Sequence, residues 1–236
     1  MRKPAILIIL ILLVDQISKF WIKTNMTLAQ EFKVLGDWFI IHFTENYGMA
    51  FGLEFAGESG KLILTLFRIV AATLILVYLY RLTQRREHTL LIFSISLIFA
   101  GAVGNIIDSV FYGLLFSSST FFEAARFLPE EGGYAAIFHG RVVDMFYFPI
   151  IKGHYPSWFP FWGGQDFIFF RPVFNVADSA ISIGVFILII FQRKFFKETQ
   201  EEPIMSESQE ETQEQIIEEN TENPKESYPD TLKNDT

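Results

Sequence analysis

The sequence predicts an all-α membrane protein: four transmembrane helices, a short β-segment on the membrane surface and a disordered acidic C-terminal tail. Three observations carry that prediction. Half of the 236 residues are apolar, 27 of them Phe, and they gather into four runs near the 20 or so residues that a bilayer crossing takes. Basic residues cluster in short flanks of those runs, at Arg2 and Lys3, at Arg81, Arg85 and Arg86, and at Arg193, Lys194 and Lys197. The composition then inverts. After residue 197, 13 acids face only Lys225 and Lys233, so a tail of net −11 follows a body of net +3 within a total of −8.

The first run, residues 4–22, follows Arg2 and Lys3 as a signal peptide would. No small-x-small cleavage site follows before Asn25, and three further spans come later, so it reads as an anchor. Residues 34–51 alternate, with Trp38, Ile40, His42 and Thr44 set against Phe39, Ile41 and Phe43, which reads as β-structure on the membrane surface. Spans two and three cover 62–82 and 89–112, and span four covers 173–191. With four spans, all three basic clusters fall on one side, which the positive-inside bias makes cytoplasmic. Both termini are then cytoplasmic. Loops 23–61 and 113–172 face the other side with their Trp and Phe, rings that favour the headgroup zone. The chain thus divides into a membrane domain, 1–197, and a tail, 198–236, with too little apolar surface to offset chain entropy.

Several chemistries drop out. Without cysteine there is no disulfide, thiol nucleophile or Cys-held metal. The four histidines are scattered and lack H-E-x-x-H, which argues against a zinc peptidase. No cofactor, metal or nucleic-acid partner is expected.

Ionisable groups in spanning segments are costly, which makes them functional candidates. Asp15 and Lys19 lie four residues apart on one helix face and can neutralise each other, a structural role. Asn105 and Asp108, and again Asn175 and Asp178, form an N-x-x-D near the outer end of spans three and four. At that spacing an amide and a carboxyl sit side by side on a helix. Asp144 lies in Gly-Arg-Val-Val-Asp-Met-Phe, ahead of an aromatic stretch. The plain reading of such polar residues is adhesion between helices. The chemical reading is different: two close carboxyls cannot both ionise comfortably, so one keeps a proton while the other takes one from water. Peptide hydrolysis without Ser, Cys or metal needs such a pair. Other readings are a channel or small-solute transporter using the carboxylates as ion sites, and a membrane scaffold. Against transport, Pro and Gly are scarce within the spans and the carboxyls lie toward one face, whereas transporters show repeated halves and broken helices.

These residues resemble one family. Asn46-Tyr47-Gly48-Met49-Ala50-Phe51-Gly52, Gly104-Asn105-Ile106-Ile107-Asp108, Gly140-Arg141-Val142-Val143-Asp144-Met145-Phe146 and Phe174-Asn175-Val176-Ala177-Asp178-Ser179 are similar, in order, to the signature blocks of lipoprotein signal peptidase (signal peptidase II). Asp15 and Lys19 resemble the D-x-x-x-K of that family's first helix. The resemblance implies an aspartic peptidase of the bacterial inner membrane, monomeric, with its active site toward the periplasmic face. It implies that Asp144 and Asp178 are the catalytic dyad, cutting just before the lipidated cysteine of diacylglyceryl-modified prolipoproteins. By the same match, Asn46, Gly48, Asn105, Asp108 and Asn175 bind substrate or orient the dyad, Asp15 and Lys19 brace the helix beside it, and the β-segment forms a periplasmic cradle. Membrane lipids are the other partner, the substrate's chains entering from the bilayer. This chain departs from the pattern at Ser109, where the family usually carries Arg, with Arg141 and Arg126 as stand-ins. It also has longer outer loops, including an aromatic stretch at 155–170 expected on the membrane surface, and the acidic tail.

Overall fold

The computed structural model describes residues 2–47, 57–149, 151–169 and 172–196; Gly48, residues 49–52 of its motif and the acidic tail lie outside the described residues. Four helices are long and apolar enough to cross a membrane. They are α1 (Arg2–Asn25), α2 (Gly57–Gln84), α3 (Thr89–Ile107), which continues through a π-turn (Asp108–Tyr112) into the short α4 (Gly113–Leu115), and α5 (Val176–Phe196). Helices suit these runs because lipid offers backbone groups no partner, so each must be satisfied within its own segment. One compact unit runs through Gln192; the second begins at Arg193, and of it only the end of α5 is described.

The burial pattern is the reverse of a soluble bundle. Ile9, Leu13 and Ile17 of α1, Ile63, Phe67 and Leu74 of α2, and Phe186 and Ile190 of α5 are exposed, while Asp15, Lys19, Thr65, Ser94, Ser96 and Asp108 are buried. Such surfaces fit lipid outside and polar contacts inside. α3 is the most enclosed of the four. Its small residues permit close approach: a Cβ on Gly101 would fall 2.2 Å from Ala177 O of α5, and one on Gly104 would fall 2.6 Å from Asp15 Oδ2 of α1.

The sheet is larger than 34–51 alone implies, and the fold is mostly helical rather than all-α. Strands β1 (Glu31–Leu35) and β2 (Phe39–Asn46) realise the expected alternating segment. Two distant segments join them, β3 (Val142–Tyr147) and β6 (Val173–Phe174), in an antiparallel sheet of order β1-β2-β3-β6. Thr44 pairs with Asp144 and Glu45 with Val143, so β2 fixes the position of Asp144. Within the aromatic insertion, β4 (Ile151–His154) and β5 (Asp166–Phe169) form a separate hairpin, with Trp158 and Phe161 exposed between them. A core of Ile22, Met26, Phe43, Phe116, Val143 and Met145 binds the end of α1 to the sheet and to the loop beyond α4. The fourth span starts later than the hydropathy run suggests, at Val176 instead of 173, because β6 takes its first residues.

Candidate active site

The site is built where α1, α3, β3 and the start of α5 converge. The sequence pair Asp15 and Lys19 meets as expected, Nζ to Oδ2 at 2.9 Å. The ammonium's other two contacts go to α3, at 2.8 Å to Asp108 Oδ2 and 3.0 Å to Asn105 Oδ1. All three donors of Lys19 are thereby used, and Asp15, Lys19 and Asp108 are all fully buried. Asp15 Oδ1 accepts from Ala177 N at 2.9 Å, so a carboxylate of α1 satisfies one of the orphan N–H groups that open α5 and faces its dipole. Asp108 Oδ2 also accepts from Val143 N at 3.3 Å, which ties the knot to β3 beside Asp144. Glycine is required opposite: a Cβ at Gly140 would lie 2.1 Å from Asp108 O.

The two N-x-x-D motifs, alike in sequence, differ in structure. Asn175 and Asp178 form a capping box: Asn175 Oδ1 accepts from Asp178 N at 2.9 Å, and Asp178 Oδ2 accepts from Asn175 N at 3.3 Å. They therefore do not share a mid-helix face, as the spacing alone suggests; the exchange starts α5 and pins Asp178 at its first turn. Asn105 and Asp108 lie inside and just beyond α3 and turn to different partners. Asn105 Nδ2 donates to Asp178 Oδ1 at 2.8 Å, while Asp108 serves Lys19.

Asp144, on β3, is 3% exposed. Asn175 Nδ2 donates to its Oδ1 at 2.8 Å, and Asn46 adds a second side-chain hydrogen bond. Asn175 thus touches both acids at once, the Asp144 carboxyl through its side-chain amide and the Asp178 carboxyl through its backbone N–H. Burial, and next the charge of Asp178, push Asp144 from an ordinary 3.8 up to about 7, against the pull of the Asn46 and Asn175 hydrogen bonds. Eight of the nine residues singled out in the sequence converge here, the ninth being Gly48.

The likeness to known proteins extends well beyond these residues. The family model described as signal peptidase (SPase) II matches residues 7–194. The chain belongs to the signal peptidase II family. A lipoprotein signal peptidase of Porphyromonas gingivalis is 56% identical over 187 residues, 79% of this chain and 80% of its relative. That of Amoebophilus asiaticus is 35% identical over 188 residues, 78% and 75% of the two chains. Two solved bacterial membrane enzymes, determined by the in meso method, share the fold: one has a TM-score of 0.56 at 24% identity, covering 86% of this chain and 95% of that one, and the other 0.52 at 24%, covering 81% and 93%.

Beyond the family blocks lie residues that sequence reasoning missed. Gln16 Nε2 donates to Asp15, Asp108 and Gly104 O, and its Oε1 accepts from Tyr112. Glu45 binds Lys23, Ser119 (2.8 Å) and Arg141 (2.9 Å), and the Arg141 guanidinium lies 5.0 Å from the Tyr47 ring and 5.1 Å from that of Tyr134. Burial pushes Glu45 up, but Lys23, Ser119 and Arg141 together hold it below its ordinary value. Arg141, a stand-in suggested for the Arg absent at Ser109, is engaged in this network, and Arg126 is exposed. Arg68 of α2 is the cation that interacts electrostatically with both Asp178 and Asp144. A hydrophilic outlier in an apolar span, it was visible in the sequence by the same rule that selected Asp15.

Proposed function

We propose that this protein is an aspartic endopeptidase that removes the signal peptide from diacylglyceryl-modified prolipoproteins, cutting just before the lipidated cysteine, with Asp144 and Asp178 as its dyad. The observation that carries the reading is Asn175, whose side-chain amide donates to the Asp144 carboxyl and whose backbone N–H donates to the Asp178 carboxyl, so that one residue joins a strand acid to a helix-cap acid. Their mutual repulsion supports a pair that carries one proton, with apparent pKa values belonging to the pair. The ionised member takes a proton from water as its oxygen bonds to the scissile carbonyl carbon. The protonated member donates to the carbonyl oxygen. Collapse breaks the C–N bond, the leaving amine takes a proton, and the products are a carboxylate and the free amino group of the cysteine. Asn105 and Asn175 orient the dyad, Asn46 and Gly48 meet the substrate, and Asp15, Lys19 and Asp108 keep α1, α3 and α5 in register.

An apolar groove of about 480 Å³ between α1 and the sheet, bounded by Ile17, Trp21, Ile41 and Met145, runs beside the strand of Asp144 and suits an acyl chain arriving from lipid. The basic flanks favour an inner-membrane protein with cytoplasmic termini and the site toward the periplasm. The family match leaves the transport reading without support. The test is cleavage of a lipid-modified precursor by the full chain in nanodiscs: Asp144→Asn and Asp178→Asn should each lose at least about 10³-fold in rate. Wild-type cleavage by either variant refutes the dyad. A precursor lacking the diacylglyceryl group should be cut poorly, and equal cutting refutes lipid recognition.

A further inference from the structure

α2 contributes to none of the motifs above, yet the charge of one of its residues reaches the two carboxyls. Lys61, Thr65 and Arg68 recur at i, i+4 and i+7, one stripe of a helix. The buried Thr65 hydroxyl donates to Phe138 O at 3.1 Å, in the segment that leads into β3 and Asp144. Lys61 Nζ lies 5.0 Å from the centre of the Tyr47 ring, next in sequence to Asn46, the hydrogen-bond partner of Asp144. The stripe is therefore docked against both segments that frame Asp144. On it, half-buried, sits Arg68, whose charge interacts first with Asp178 and next with Asp144.

We propose that Arg68 is the positioning cation of the dyad, acting through Asp178 and Asp144 to set the pH window in which the pair carries one proton. The inference rests on the dyad reading above. The charges around the pair explain why such a cation matters. On the α1 side the charge of Lys19 favours ionisation of Asp144, but it is shared with two carboxylates, Asp15 and Asp108. From α3, β2 and the cap of α5 the dyad receives the neutral amides of Asn105, Asn46 and Asn175. Arg68 approaches from α2, with Lys61 as its own charged neighbour. A guanidinium stays protonated across the accessible pH range, so its effect is that of a fixed positive charge. Such a charge lowers the proton affinity of a nearby carboxyl pair and also favours the negative charge that builds on the carbonyl oxygen.

The experiment is the pH profile of kcat/KM for a synthetic diacylglyceryl-modified precursor peptide, using the full chain in nanodiscs. In Arg68→Gln both limbs should move to higher pH by about 1 unit, because each proton is held more tightly without the cation. Arg68→Lys should keep the limbs near their wild-type positions. A merely structural role would lower activity evenly with the limbs unmoved, and that result overturns the proposal. Should Arg68→Gln fail to fold, Arg68→His decides: its limbs should match wild type where the imidazole is charged and shift upward once it loses its proton above about 6.5. A profile parallel to wild type at every pH again overturns it. Asp144→Asn and Asp178→Asn are run alongside. If they cleave normally, the dyad reading fails; if they are inactive while the Arg68 limbs stay in place, the role of Arg68 alone fails.

Discussion

Two groups of carboxyls, buried but for the half-buried Asp178, lie side by side in this protein and are treated in opposite ways. Asp15 and Asp108 meet an ammonium directly, at 2.9 and 2.8 Å. Asp144 and Asp178 are held by side-chain amides and by the opening N–H of a capping box, at 2.8 to 3.3 Å. An ion pair favours the charged state of its acid, and in a low-dielectric interior removal of one partner is costly. An amide positions an acid without settling its charge. The knot suits a structural brace, and the neighbouring pair suits the proton exchange proposed for it.

The sharpest way to break this contrast is Lys19→Met. It leaves Asp15 and Asp108 buried together without their cation, so unfolding in detergent should reveal a loss of about 3–5 kcal/mol. Asp144→Asn, by contrast, should leave stability near wild type while activity disappears. If Lys19→Met is as stable as wild type, the knot is not the brace proposed here. A smaller effect is expected for Gly104→Ala, whose new Cβ would press on Asp15 Oδ2 from 2.6 Å. Overpacking of this kind costs about 1–3 kcal/mol, and the shift of Asp15 should weaken the start of α5, so activity should fall further than stability accounts for. The smallest effect concerns pH. Asp144 has its folded value raised from 3.8 to about 7, so the folded state holds a proton that the unfolded chain releases. Its contribution is fully present below about pH 4 and is lost as pH rises through about 7. The melting temperature of Asp144→Asn should therefore decline less than that of wild type over this interval; identical slopes would mean that Asp144 ionises as an ordinary surface carboxyl does.

How much of this was legible in the sequence depended on range. Hydropathy located all four spans, and the i, i+4 spacing of Asp15 and Lys19 gave their salt bridge, since both are local properties of one helix. The alternation around Ile40 and Phe43 gave β2 for the same reason. Partners distant in sequence were not legible from spacing. Nothing local in Val-Val-Asp-Met-Phe says that it pairs with Thr44 and Glu45, which made β3 and β6 invisible and left the single segment 34–51 as the only expected β-structure. Asn175 and Asp178 were seen as neighbours on a helix because the run of apolar residues begins before the cap; β6 is too short to interrupt it. Lys23 lay one residue past the predicted span, at the start of the outer loop 23–61, although it is fully buried against Glu45. The family blocks supplied what spacing could not, and they were silent on Arg68, which belongs to none of them.

The contact between Asp15 and Ala177 joins groups 162 positions apart, the first span to the last. A ribosome delivers them at opposite ends of synthesis, and Asn175 and Asp178 arrive with the later one. A nascent chain with three spans inserted has the ionic knot but lacks half of the proton-sharing pair and the amide that holds it. On the proposed dyad, cleavage therefore waits for the fourth span, and a product truncated before it should be proteolytically silent.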